Sequence, residues 1–246
     1  MKLVLLGTTG YHPNERRHTL CLMLPELGIV LDAGTAMFRV RDRLVTPELD
    51  IFLSHAHLDH VAGLTYLHGV LANQEVRRVT VHASDEKIAA VQRHLFAEAI
   101  FPVAPRCDFQ PLTGPVTLPK AGTLTYFPLK HPGGSLGFRL DWPDRSMAYV
   151  TDTTASPTAP YVKHLEGVDL LIHECYFPDR RADWAAKTGH SHTTPVAQVA
   201  RACHAGRLIL VHMDPTFEED GQINIETARA IFPNTQFGED LMEVEF

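Results

Sequence analysis

The sequence predicts an α+β protein built from two halves, and three observations predict it. Short apolar strands run in succession, then give way to helices, and this rhythm occurs twice, roughly over 1–119 and 120–246. A chain of 246 residues can bury a full core, which suits one domain spanning 1–246 with two related halves. Finally, Asp32, His55, His131, Asp152, His173 and His212 each fall just after an apolar strand. If those strands belong to two packed sheets, their ends can converge on one edge, where loops held by a rigid scaffold carry ligand sets.

Lys2-Leu6, Thr19-Leu24 and Gly28-Leu31 read as three successive strands, apolar and β-branched. The loop Gly7-His18 between the first two is rich in glycine and polar residues and long enough to carry substrate contacts. The third strand ends on Asp32 with a glycine turn behind it, a place from which a carboxylate can hold a ligand histidine by hydrogen bond. Ala36-Arg43 is expected to be helical, and Ile51-Leu53 is the next strand. Gly63-Leu71 reads as a helix, and Val79-His82 as a strand. Ser84 is an expected N-cap for a helix over Asp85-Ala99, with Asp85 and Glu86 in its first turn. His68, His82 and His94 lie on these elements without metal partners at suitable spacing and read as structural.

Phe101-Pro119 is proline-rich, with one short strand expected near Phe109. Gly122-Leu129, Leu136-Leu140 and Met147-Thr151 are strands of the second half, and Leu170-Ile172 is another, running into His173-Glu174-Cys175. Thr194 is expected to cap a helix over Pro195-Ala205, with proline at the first helical position. Arg207-Val211 is a strand ending on His212, Ile223-Ile231 a helix, and two short strands close the chain.

The stretch Ser54-His55-Ala56-His57-Leu58-Asp59-His60 follows the apolar run Ile51-Phe52-Leu53. Residues two apart on an extended tip project to one side, so His55 and His57 can grip one cation. Asp59 and His60, on the turn that follows, can grip a second. Imidazole with carboxylate suits zinc and similar borderline ions. This is a metal site.

A formal net charge of −7 argues against a general nucleic-acid-binding surface, which is usually basic. No apolar run approaches the roughly 20 residues that span a bilayer, and the apolar N-terminus is too short for a secretory signal. Cys21, Cys107, Cys175 and Cys203 are dispersed, which suits a reduced, cytoplasmic setting.

Taken together, Asp32, the stretch His55-Ala56-His57-Leu58-Asp59-His60, His131, Asp152 and His212 resemble the five motifs of the metallo-β-lactamase superfamily, over nearly the whole chain. The resemblance implies a four-layer αββα sandwich with a dinuclear metal site at one edge. It implies that His55, His57 and His131 bind one ion, that Asp59, His60 and His212 bind the other, and that Asp152 bridges them. The implied cofactors are two divalent ions, zinc by default, although manganese or iron fits the same ligands. Aspartate at position 152 gives an all oxygen-and-nitrogen site, where antibiotic-cleaving members place cysteine.

A narrower resemblance is to the phosphodiesterase branch that includes RNase Z. Leu171-Ile172-His173-Glu174-Cys175-Tyr176 is similar to its His-Glu-Ala-Thr motif, departing at Cys175 and Tyr176, and Gly189-His190-Ser191-His192-Thr193-Thr194 to its His-Ser-Thr motif. His190 and His192 compete for that role, and His192 is preferred because Thr194-Pro195 opens the next helix. Pro13 through Arg17 is similar to the branch's substrate loop. The long basic arm that clamps tRNA in RNase Z has no counterpart between His131 and Asp152.

The resemblance therefore implies hydrolysis of a small or cyclic phosphodiester, or short RNA, through a metal-bridging hydroxide. Asp59 would orient the nucleophile, and His192, polarised by Glu174, would protonate the leaving oxygen. The rival readings are a thioester or lactone hydrolase of glyoxalase II type, a tRNA 3′-end endonuclease, and a metal-bound sensor without turnover. Members of this branch often pair as homodimers, so a homodimer is expected too, and no membrane.

Overall fold

The computed structural model describes residues 1–216 and 223–246 and divides into two compact units, Met1–Gly114 with Glu239–Glu245, and Pro115–Gly238 with Phe246. In the first, the strands Lys2–Gly7 (β1), Cys21–Leu24 (β2), Ile29–Leu31 (β3), Glu48–Phe52 (β4), Arg78–Ala83 (β5) and Asp108–Pro111 (β6) form one sheet in chain order. The C-terminal strand Met242–Glu245 pairs with the outer edge of β1, from Lys2 opposite Glu245 to Leu5 opposite Met242. Pairings up to β3 are antiparallel, and those from β3 to β6 are parallel.

The second unit repeats that pattern. Val116–Leu118 (β7), Gly122–Leu129 (β8), Ser135–Trp142 (β9), Arg145–Val150 (β10), Leu170–Glu174 (β11), Arg207–Val211 (β12) and Thr235–Phe237 (β13) form a sheet in chain order. Its first three pairings are antiparallel and its last three parallel. Parallel neighbours begin and end together, so whatever follows one strand emerges beside whatever follows the next. That rule brings distant residues to a common edge within each unit.

Side-chain alternation divides each strand between two faces. In the first unit Val4, Leu6, Met23, Val30, Ile51 and Val81 pack with Met37, Leu64, Leu67 and Ile88. The opposite face, with Leu3, Leu5, Leu22 and Phe52, is buried as well. In the second unit Phe127, Ala148, Val150, Leu171, Leu208 and Leu210 pack with Val162, Leu165, Val196 and Val199.

Several expected helices take other forms. The segment after β3 is a 3-10 helix over Thr35–Val40, closed by the amide of Met37 on the carbonyl of Gly34. Helical structure after β4 starts earlier than expected, inside the metal-motif stretch, as Leu58–Val61 (α1). It continues as a 3-10 turn Ala62–Tyr66 and ends as Leu67–Leu71 (α2). At the break the Gly63 amide donates to the Ala33 carbonyl at 2.8 Å instead of along the helix, and a Cβ there would lie 2.2 Å from the Gly34 carbonyl oxygen and 2.3 Å from Met37 Cβ.

Asp85–Ala90 (α3) passes into a π-turn over Val91–Leu95 instead of running to Ala99, and Ser84 makes no side-chain cap bond. The amide of Phe96 reaches back to the Val91 carbonyl, and its ring packs against Phe101 and Phe109. In the second unit the helices are Ala182–Thr188 (α4), Thr193–Ala202 (α5) and Ile225–Ile231 (α6). Thr194 is not the N-cap of α5 but its second residue. Its amide and hydroxyl both donate to Asp179, at 2.8 and 2.6 Å, so a carboxylate from another segment caps this N-terminus. The cap of α6 is local: Asn224 Oδ1 accepts the Glu226 amide.

Candidate metal centre

In the first unit β3 and β4 are parallel, with Leu31 opposite Phe52, so Asp32 and Ser54 emerge side by side. Asp32 is fully buried and accepts hydrogen bonds from Ser54 and His60. Its Oδ1 takes the Ser54 amide at 2.7 Å, and its Oδ2 takes Ser54 Oγ at 2.8 Å and His60 Nδ1 at 2.8 Å. Because Ser54 Oγ gives its proton to Asp32, it accepts from His55 Nδ1, 2.9 Å away. Both imidazoles are thus held in the tautomer whose Nε2 carries a lone pair.

The His55 ring lies 4.4 Å from that of His57 and 4.3 Å from that of His60, centroid to centroid. His57 is exposed at the N-terminus of α1, and Asp59 Oδ2 stands 3.4 Å from His60 Nε2. Helix α1 is seated on glycine: a Cβ at Gly34 would lie 2.5 Å from the Asp59 carbonyl oxygen, which also accepts Thr19 Oγ1 at 2.7 Å.

In the second unit the parallel strands β10, β11 and β12 deliver Asp152, Glu174 and His212 to one edge. Asp152 is met by one imidazole on each oxygen: His212 Nε2 lies 3.3 Å from Oδ1 and His131 Nε2 lies 3.3 Å from Oδ2. His131 Nδ1 donates to the Gly189 carbonyl at 2.9 Å, which again leaves a lone pair on Nε2. Burial lowers the His131 pKa, against the pull of Asp152, so the neutral, ligating form is favoured. Asp32, Asp152 and His212 all have left-handed backbones, at φ of 56°, 49° and 58°. Such strain is uncommon outside glycine and persists where surrounding structure fixes it, as at functional sites.

Glu174 is completely buried. Its Oε1 accepts the Thr153 amide at 2.7 Å and His190 Nδ1 at 3.2 Å, and its Oε2 accepts the Ser191 amide at 3.1 Å. Burial pushes its pKa up, but the facing His190, by charge and hydrogen bond, holds it below the ordinary glutamate value. His190 is stacked on Tyr176, with centroids 4.7 Å apart, and offers a nitrogen within 4.8 Å of ligand atoms on Asp152 and His212.

The expected pairing of Glu174 with His192 is therefore corrected. His192 turns the other way, with Nδ1 2.6 Å from Asp179 Oδ1. Simple alternation would send residues 190 and 192 to one side, but Ser191 between them is tied by its amide to Glu174 and by its hydroxyl to the Thr153 carbonyl, and His192 already bridges to Phe177. The next helix then starts at Thr193 and carries His192 to Asp179. Asp179 was missed in the sequence because its role depends on a contact across 13 residues. Ser54 and Tyr11 were missed likewise; the Tyr11 amide donates to Asp59 Oδ2 at 2.8 Å.

In chemistry, the donors fit divalent cations. Each cluster combines imidazole with carboxylate, and the second nitrogens of His55, His60 and His131 are occupied by hydrogen bonds that orient the rings. The family described as the beta-lactamase superfamily domain matches residues 28–213. The chain belongs to this superfamily and is an enzyme of its hydrolase class.

A ribonuclease Z of Synechococcus sp. (strain CC9902) is 27% identical over 314 aligned residues, covering all of this chain and 98% of that protein. Among solved structures, the metallo-β-lactamase fold protein YhfI of Bacillus subtilis matches with a TM-score of 0.81 at 21% identity, over 99% of each chain. A diphosphatase of the PhnP family matches with a TM-score of 0.75 at 18% identity, over 100% of this chain and 97% of that one. The fold is the metallo-β-lactamase fold, in the α+β class expected from the sequence. Among the described residues no helix is long and apolar enough to cross a membrane.

Proposed function

We infer that the chain is a dinuclear-metal phosphodiesterase acting on a small or cyclic phosphodiester or short RNA. By correspondence of motifs, His55, His57 and His131 hold one divalent ion and Asp59, His60 and His212 the other, with Asp152 shared. Zinc suits this donor set, and manganese or iron suits it too. Bound there, such ions supply Lewis-acid charge to the phosphoryl oxygens and make a water acidic enough to attack near neutral pH.

The chain's own groups supply the rest. Asp59, held by the Tyr11 amide, orients the attacking water and takes its proton. His190 donates a proton to the leaving oxygen, and Glu174 sustains the imidazolium that donates it. The observation that carries this reading is the buried Glu174–His190 pair beside Asp152 and His212. A thioester hydrolase, whose thiolate departs readily without protonation, has no need of such an acid.

A second reading, tRNA 3′-end cleavage, is favoured by the name of the Synechococcus relative. The alignment with it runs over 314 positions against 246 residues here, so at least 68 positions have no counterpart in this chain (314 − 246). That supports the smaller substrate. A cytoplasmic setting agrees with four cysteines that form no disulfide, and pairing as a homodimer, expected from the resemblance, is part of the same reading.

The test is hydrolysis of bis(p-nitrophenyl) phosphate with bound metal counted in every sample. Chelator-stripped protein is expected to be inactive and to recover with zinc. With a dinucleotide such as uridylyl-(3′,5′)-uridine, whose alkoxide leaving group needs a proton, His190→Ala should keep its metal and lose roughly 10²- to 10⁴-fold in kcat, the usual worth of a positioned acid, whereas His192→Ala should lose far less. Full activity in metal-loaded His190→Ala protein would sink the assignment. Silence of the loaded wild type, with turnover of a thioester, would move the enzyme to the glyoxalase II type.

A further inference from the structure

The loop between β1 and β2 is built as a fixed support that presents the exposed ring of Tyr11, with the exposed His12 imidazole tilted against it at 5.0 Å. Both of its ends are tied to Asp240, whose Oδ1 accepts Thr8 Oγ1 at 2.8 Å and whose Oδ2 accepts the His18 amide at 2.8 Å. The amides of Thr8 and Thr9 both reach the His18 carbonyl, and Asn14 Oδ1 accepts the amides of Arg16 and Arg17. At the tip, Tyr11 has a left-handed backbone with φ of 57°. A tyrosine gains nothing from that conformation by itself, which costs roughly 1–2 kcal/mol relative to a right-handed one. Its amide is spent on Asp59 Oδ2 at 2.8 Å, yet its ring is 71% exposed.

Leu58, beside Asp59 in the chain, is also 71% exposed. The two residues that adjoin Asp59, Tyr11 through its amide and Leu58 along the chain, thus both leave large side chains exposed. An exposed aromatic face near the carboxylate that orients the attacking water is what a nucleobase uses, because every base can stack on it.

Resting on the phosphodiesterase reading above, we propose that the substrate is a nucleotide diester and that Tyr11 is a specificity-determining residue, its ring stacking on the base while Leu58 borders the sugar side. Preorganisation of the loop lowers the entropy lost when the base docks. Trp184 on α4 is the other candidate ring, 49% exposed, but Arg181 and Lys187 already lie over it at 5.8 and 5.4 Å from its centroid.

The experiment compares two diesters with the same leaving group, thymidine 5′-(p-nitrophenyl phosphate) and methyl p-nitrophenyl phosphate, with the zinc-loaded enzyme. The wild type is expected to prefer the nucleoside ester in kcat/KM. Tyr11→Ala, which keeps the amide bonded to Asp59, should cut that preference about tenfold, within the usual worth of base–aromatic stacking, with the loss in KM. Tyr11→Phe should restore it, and Trp184→Ala should leave it unchanged.

A wild type with no preference, or a Tyr11→Ala enzyme that keeps it, overturns the proposal. So does loss of the preference in Trp184→Ala alone. If neither ester is turned over, the phosphodiesterase reading fails on its own account, and calorimetric binding of thymidine 5′-phosphate decides the ring's role. About tenfold weaker binding to Tyr11→Ala supports the stacking role, and equal binding refutes it.

Discussion

Asp32 is the residue on which the first cluster depends, although it is none of the expected metal ligands. Its carboxylate sets Ser54, and through Ser54 and His60 it fixes two ring tautomers at once. Partners of this kind typically carry 10- to 100-fold in metal affinity. Asp32→Asn tolerates the left-handed backbone but removes the charge and one acceptor. It is therefore expected to weaken zinc binding roughly 10- to 100-fold in competition with a chromophoric chelator. Unchanged affinity would show that the rings are oriented by packing alone. The role of Asp32 was only partly legible in the sequence, because an aspartate closing a strand often just caps or pins its loop, and a bond to a ligand histidine was the further option that the metal motif suggested. Which of His190 and His192 meets Glu174 was not legible, because residues two apart share a side in extended chain, and only the Ser191 hydrogen bonds and the bond of His192 to Asp179 separate them.

Among the elements, β4 and β5 are joined on the face that carries Phe52 by Asp50, which accepts from His82 Nε2 at 2.8 Å and from both Arg78 Nη atoms at 3.1 Å. Burial raises the Asp50 pKa, but the hydrogen bonds of His82 and Arg78 outweigh it and hold the carboxyl below the ordinary range. A carboxyl depressed in the folded state stabilises that state above its unfolded pKa, about 3.9. The contribution is lost as pH falls through the lower folded value. In urea titrations, the stability gap between wild type and Asp50→Asn should therefore shrink as pH drops below about 4. A gap that stays constant down to acid unfolding would deny the pair any such role. His82, read as structural from the sequence, is one partner in this link and also stacks on Phe52 at 4.5 Å. Strands were the legible elements because apolar period-2 runs signal them. The helices were less so: the breaks between α1 and α2 and after α3 fall where the Gly63 amide turns to the Ala33 carbonyl and the Phe96 amide to that of Val91, bonds that local propensity does not encode.

For the molecule as a whole, the distant end of the chain completes the first unit. The C-terminal strand covers the open edge of β1, and Asp240 just before it meets Arg39 Nη1 at 2.6 Å, as well as Thr8 and His18. An unpaired β1 edge would invite association with other chains. Asp240→Ala would leave a largely buried arginine without this partner, and breaking such a pair costs about 3 kcal/mol or more. Chemical denaturation should show that loss; a change within about 0.5 kcal/mol, typical of surface substitutions, would mean that Arg39 finds another acceptor. The two units share one order of antiparallel and parallel pairings. The strands–helices rhythm of the sequence hinted at this order without giving the return of the last strand.

By itself the sequence determined the superfamily, the strands and the set of metal-competent side chains. Those features are local: alternation within a strand, and the spacing His-x-His-x-Asp-His behind it. Only tertiary structure decided which parallel strands end together, and hence that Asp152, Glu174 and His212 share an edge. It also decided that His190 rather than His192 answers Glu174, that Asp179 caps α5, and that Tyr11 is bonded to Asp59 with its ring exposed. These depend on hydrogen bonds between segments far apart in the chain, whose energies no local pattern contains.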